Sequence, residues 1–226
     1  MKTIKYISIL LVLAASLTGC SKDNYDAPES KLTGRIVYQG KTLGLRSDGV
    51  QLELWQHGYT FFSKIPIFVN QDGTFSASVF DGDYKLVRLR GNGPWADNTD
   101  SIDVKVSGGA SVDVPVDPYF IISNETFQRT GTTSVSVSVN IQQVNTTRTL
   151  EKVKLYIGQT MILDDNNNAA SGEKPAADIT LSQPVSITVN IPSSLASKDY
   201  VYARAAVKTN GVGEYLYTQP IKVPLK

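Results

Sequence analysis

From Lys31 onward the chain reads as strands, several of them alternating apolar and polar residues with a period of two, and no useful length of the first half carries the period of a helix. Gln51-Leu52-Glu53-Leu54 reads as a half-buried strand. The segment 134–141 (SVSVSVNI) places four Val and Ile residues on one face and Ser and Asn on the other. The pattern predicts strands over 32–38, 50–55, 65–69, 74–80, 84–89, 101–106 and 111–116, then over 119–126, 134–141, 150–161, 179–191, 199–207 and 214–223. Gln71-Asp72-Gly73 and Asp81-Gly82 are turn sequences, because Gly takes positive φ without a Cβ penalty. Ser107-Gly108-Gly109 predicts a hairpin turn between 101–106 and 111–116, and 169–177 has the composition of a loop. Proline ends the last strand of the first half at Asp117-Pro118, which sets a domain boundary there. The expected fold class is all-β: two consecutive β-sandwich domains, residues 31–117 and 118–226.

The first thirty residues have a different pattern. Lys2 and Lys5 precede an almost unbroken apolar run from Ile7 to Leu17, too short for a membrane span, and small residues lead to Cys20. This is the layout of a secretory signal over residues 1–19. Leu17-Thr18-Gly19-Cys20 resembles a bacterial lipobox, and the resemblance implies cleavage before Cys20 and acylation of its thiol; an ordinary signal with an incidental cysteine is the alternative. Residues 20–30 then form a polar, flexible tether. Its Asp23 and Asp26 resemble the acidic residues that follow the lipid cysteine in surface-exposed lipoproteins of Bacteroidota. The expected location is therefore the outer membrane, lipid-anchored and facing outward.

Two further resemblances concern the folded part. Asp72-Gly73-Thr74-Phe75 and Phe80-Asp81-Gly82-Asp83-Tyr84-Lys85-Leu86 resemble the paired turn motifs of the carboxypeptidase regulatory-like (transthyretin-like) sandwich. Residues 201–207 with Asn210-Gly211-Val212-Gly213-Glu214-Tyr215 are similar to the last hairpin of fibronectin type III and other Ig-like domains, where Tyr200 or Tyr202 would fill the tyrosine-corner role. With Arg90-Gly91-Asn92-Gly93-Pro94-Trp95 and the segment 114–120, the chain resembles a two-domain Bacteroidota lipoprotein family of uncharacterised function, often encoded beside glycan-uptake receptors.

Composition narrows the chemistry. Without Lys2 and Lys5 the chain carries 20 basic against 21 acidic side chains, so no basic field exists for nucleic acid. Cys20 is the single cysteine and His57 the single histidine. A lipidated Cys20 leaves no thiol for a disulfide, a nucleophile or a metal, and His57 lies in a predicted strand end or turn with no serine organised beside it. An enzyme is not expected.

Binding chemistry has two candidate locations. Trp95 stands among Asn92, Asp97 and several glycines, and an exposed indole beside carboxamide and carboxylate groups suits a sugar ring; the structural alternative packs Trp95 at one end of the sandwich or at the domain interface. Trp55 and Tyr59, with Phe61 and Phe62, form a second aromatic group. Asp164, Asn166 and Asn168 have the alternate spacing of Ca²⁺ ligands, although Ala169 and Pro175 occupy the places where an EF-hand has Gly and Glu; a plain connecting loop is the alternative, and Glu173 or Asp178 permit other geometries. The resemblance implies a non-enzymatic lipoprotein accessory to polysaccharide uptake, binding polysaccharide or oligosaccharide. The alternative is a structural module that docks onto an outer-membrane receptor or partner protein.

Overall fold

A computed structural model describes residues 26–58 and 63–226. Cys20 and Tyr59 therefore lie outside the described residues, as do Phe61 and Phe62. Among those described, the first domain contains β1 (Ser30–Tyr38), β2 (Lys41–Thr42), β3 (Gln51–Gln56), β4 (Lys64–Phe68), β5 (Thr74–Val79), β6 (Gly82–Arg88), β7 (Ile102–Val106) and β8 (Ala110–Pro115). One sheet is centred on β1, with antiparallel β5 and β2 on one side and parallel β8 on the other. The second sheet has the order β4-β3-β6-β7. Leu32, Ile36, Phe75, Val79 and Val114 from the first sheet face Leu52, Leu54, Tyr84, Leu86 and Val104 from the second, all buried. Gly34 is required here: a Cβ would stand 2.2 Å from the Phe75 ring.

The turn at Ser107-Gly108-Gly109 is not a hairpin. β7 pairs with β6, whereas β8 pairs with β1 in the other sheet, so the chain crosses between layers at this point. Asp81 holds the crossing: its carboxylate accepts from Gly108 N (2.9 Å) and from Ser30 Oγ (2.5 Å), tying the turn to the start of β1. These two hydrogen bonds, Ser30 first, hold the Asp81 carboxyl below its ordinary value.

The second domain contains β9 (Phe120–Thr130), β10 (Ser134–Gln143), β11 (Leu150–Gly158), β12 (Ala170–Pro175), β13 (Val185–Asn190), a one-turn helix α1 (Ser193–Ala196), β14 (Tyr200–Thr209), β15 (Tyr215–Tyr217) and β16 (Ile221–Pro224). Its sheets are β13-β10-β9 and β12-β11-β14-β15, with β16 also on β14. Val135, Val137, Val139 and Ile141 of β10 are all buried, as their alternation predicts. The expected loop over 169–177 contains β12, an edge strand stitched to β11 by backbone pairing, with no fully buried side chain. Tyr200 and Tyr202 are both half-buried with rings edge to face at 5.7 Å, and neither makes a corner hydrogen bond. The alternation of β14 puts Val201 and Ala203 into the core and both tyrosines on the opposite face.

One continuous apolar core runs through both sandwiches, bridged by Trp95, Tyr119 and Phe120 at the linker and by Leu43, Leu45 and Leu216 further along the seam. The backbones meet at Gly44 and Tyr217, where Tyr217 N donates to Gly44 O (2.9 Å). A Cβ on Gly44 would lie 2.5 Å from that tyrosine's carbonyl oxygen, so only glycine permits the approach.

Candidate functional site

The loop carrying Trp95 is built for packing. Trp95 is only 5% exposed, bridges to Pro118 and has Gly93 beneath its ring, where a Cβ would lie 2.2 Å from the indole. Ala96 N donates to Asp117 O (2.9 Å) and Tyr119 N to Pro94 O (3.2 Å), so the loop wraps the interdomain linker with the indole inside. No indole face is left for a sugar, which corrects the expectation of an exposed platform. Asn92 accepts from Gln51 N (2.5 Å) and donates to Gly49 O (3.2 Å); Asp97 accepts from Gly91 N (2.7 Å) and pairs with Arg90 (3.9 Å). Both side chains fix the loop. Trp55 is half-buried on the outer face of β3, in register between Lys64 and Lys85.

The Asp164–Asn168 loop is committed elsewhere too. Asp164 is 3% exposed and its carboxylate accepts from Asn166 N (2.8 Å), while Asn168 Nδ2 donates to Asp164 O and Asp165 O. One Asp164 carboxylate oxygen and the Asp164 and Asp165 carbonyls are hydrogen-bonded within the loop, and among the described residues no group of three His, Cys, Asp or Glu side chains has the arrangement of a metal site. The loop closes the domain seam instead. Asp165 accepts from Lys154 Nζ (2.6 Å) and Tyr156 Oη (2.7 Å). Burial pushes the Asp165 carboxyl up, but these two hydrogen bonds and the nearby lysine charges outweigh it, so it ends below its ordinary value. Burial, then the Asp165 hydrogen bond, pushes the Tyr156 phenol up.

Beneath this loop lies Arg204, fully buried. Its Nε donates to Thr218 O (2.8 Å), Nη1 to Leu163 O (2.9 Å) and Gln71 Oε1 (3.4 Å), and Nη2 to Leu45 O and Gln71 O (both 2.8 Å). All five N–H groups are satisfied, three of them by residues of the first domain. The guanidinium also stacks on Tyr217, 4.4 Å from the ring centroid. Burial pulls its pKa down to about 10, so it stays charged at neutral pH. Arg46 and Glu214 add a bidentate ion pair across the same seam.

On this rigid seam a groove of about 350 Å³ opens between the domains. One wall is the β1–β2 hairpin, with Tyr38, Gln39, Lys41 and Thr42; the other is the start of β9 and the segment after β15, with Ile122, Asn124, Glu125 and Gln219. The hairpin turns through Gln39 (φ 48°) and Gly40 (φ 76°), a two-residue turn with both central residues left-handed. Opposite, the pairing of β9 and β10 slips between Thr126↔Ser138 and Ser123↔Asn140, leaving Asn124 and Glu125 facing the single residue Val139. This bulge sets Asn124 at φ 54° and bends the strand where it lines the groove. The groove thus offers a half-buried tyrosine and aliphatic side chains beside three amides, three hydroxyls, one cation and one carboxylate. Such a surface can meet the apolar face of a polar ring and hydrogen-bond its rim. The periodicity of β1 and β9 gives no sign that they come together here, although the Gln39-Gly40 turn is visible in the sequence.

Two family models match the chain. One, described as "Protein of unknown function (DUF3823) N-terminal domain", covers residues 30–117, and "Domain of unknown function (DUF3823_C)" covers residues 120–222. A DUF3823 family protein from Bacteroides ovatus is 37% identical, with a TM-score of 0.82 over 87% of this chain and 100% of its own. One from Parabacteroides merdae is also 37% identical, with a TM-score of 0.81 over 88% and 100%. A protein from Bacteroides uniformis, described as a "putative carbohydrate binding protein", shares the fold at 15% identity, with a TM-score of 0.71 over 87% of this chain and 99% of its own. No curated protein matches the chain.

Proposed function

The chain belongs to the DUF3823 family, and from that premise we propose that it is a non-enzymatic carbohydrate-binding lipoprotein that serves polysaccharide uptake at the cell surface. Cys20 supplies the anchor in this reading, and the tether of residues 20–30 carries the two domains away from the outer membrane. The observation that carries the binding role is the interdomain groove, where Tyr38, Gln39, Asn124 and Gln219 combine an aromatic face with amide donors and acceptors. A neutral saccharide presents the same combination, C–H faces and a rim of hydroxyls. The likeness in fold to the Bacteroides uniformis protein supports the reading.

The test is affinity electrophoresis of the mature chain in gels containing neutral and acidic polysaccharides, run beside Tyr38→Ala. Retardation by a glycan that is lost in Tyr38→Ala is the expected result. Mobility unchanged in every gel overturns carbohydrate binding. A second reading, docking onto a receptor, is favoured by Met161 and Ile162, which are 56% and 49% exposed on the seam loop. Capture of an outer-membrane receptor by the wild-type chain but not by a Met161→Ser, Ile162→Ser variant is the result that selects it.

A further inference from the structure

We infer that a second cleft, beside the 96–101 loop, is a saccharide subsite that takes hydroxyl groups of a neutral sugar, with Arg88 at its floor. The ligand class rests on the proposed function; the location rests on independent geometry. The cleft has a volume of about 480 Å³. Arg88 is only 7% exposed, and its guanidinium spans the walls: Nη1 donates to Pro115 O (2.8 Å) and Nη2 to Asp100 O (3.0 Å). Its Nε is buried with no hydrogen-bond partner, and among the described residues no carboxylate comes within ion-pair distance of the group, the Asp100 carboxylate acting on it only through its charge. A buried cation held by two neutral carbonyls is an incomplete hydrogen-bonding arrangement.

The rim specifies what completes it. Asp97, Asn98, Asp100, Ser101 and Asp117 line the cleft with Arg88. Asp97 is engaged with Gly91 N, and Asp117 accepts from Asn145 Nδ2 (2.5 Å), so both carboxylates are fixed in place. The Asp100 charge acts on Arg88 across the cleft without a hydrogen bond between the two side chains, and the Ser101 hydroxyl lines the same wall. An anionic ligand meets three carboxylates here, and a cationic one meets the guanidinium. A neutral polyol avoids both conflicts, since a hydroxyl donates to a carboxylate and accepts from a guanidinium N–H. The cleft and the groove also share one end of the first domain. Val116 of the cleft donates its N–H to Val37 O (3.0 Å), and the next residue, Tyr38, lines the groove.

The experiment titrates the mature chain with methyl glycosides of glucose, galactose, mannose and xylose, and with galacturonate as the acidic counterpart. The readout is the Arg88 Nε–H resonance in ¹H–¹⁵N spectra, assigned by its loss in Arg88→Lys. Asp100→Ala is the working variant, because it removes a carboxylate of the cleft wall and keeps the carbonyl that Arg88 grips. At least one neutral glycoside should shift the resonance, bind about tenfold more weakly to Asp100→Ala, and still shift it in Tyr38→Ala. The inference is overturned if no glycoside moves the resonance, if galacturonate alone does, or if Asp100→Ala binds as tightly as wild type. Polysaccharide retardation that depends on Tyr38 while the Arg88 resonance stays still removes the cleft and leaves the proposed function standing. No retardation and no shift removes both.

Discussion

Arg204 and Arg88 are both buried guanidiniums on a central strand of a sandwich, and among the described residues neither forms an ion pair with a carboxylate. Arg204 spends all five N–H groups on protein oxygens and lies against Tyr217. Arg88 lines a cleft, reaches two carbonyls and leaves a buried Nε unpaired. Burial alone therefore separates nothing; the number of satisfied donors does. A saturated guanidinium fixes the geometry of its neighbours, here the angle between two domains. An unsaturated one beside open space has hydrogen-bonding capacity left for a ligand.

The comparison breaks most easily at Arg204. Arg204→Met keeps the stem but leaves the carbonyls of Leu45, Leu163 and Thr218 without their side-chain donor at a buried position, while Gln71 O keeps Leu45 N. Loss of about 3–4 kcal/mol is expected in urea denaturation, together with partial uncoupling of the domains into two transitions. A change below about 1 kcal/mol would show that the seam does not depend on this residue. Arg88→Met sharpens the contrast. Pro115 and Asp100 border the open cleft, so water can replace the lost donors, and the expected cost is about 1 kcal/mol with a single transition retained. Equal losses at the two positions would remove the distinction drawn between them.

The same contrast explains what could be read from the sequence. Fold class and family were legible because they depend on local signals: the valine alternation of β10, the Asp72-Gly73 turn, the Gly-Asp-Tyr entry to β6. The layer crossing at Ser107-Gly108-Gly109 was not, since a glycine turn bends the chain without specifying which sheet receives the next strand. β12 was missed because ASGEKP has no apolar face and is held by backbone pairing to β11. Trp95 and the Asp164 loop have binding-site composition, yet linker and seam packing, formed with distant residues, absorb their side chains. The groove and the Arg88 cleft have the opposite character. Apart from Asp97, which the sequence singled out beside Trp95, their residues are unremarkable along the chain, and the groove arises only when β1 and β9, some eighty residues apart in sequence, come together at the domain seam.

Asp165 provides the smallest test, and it bears on the seam alone. Its carboxylate takes the Lys154 ammonium and the Tyr156 hydroxyl, and its lowered pKa means that the folded state favours the charged form. Stability from such a group is fully present above the unfolded-state value, about pH 4 for aspartate, and is lost as pH falls through the lower folded-state value. Asp165→Asn removes the charge and keeps the shape. At pH 7 it should cost about 1 kcal/mol, a modest value because the side chain is partly solvent-exposed. The gap between variant and wild type should close as the pH drops below about 4. Melting curves of both proteins at a series of pH values decide this: a gap that stays constant into acid would mean that Asp165 holds the seam through its shape and neutral hydrogen bonds, leaving Arg204 as the charge on which the domain angle depends.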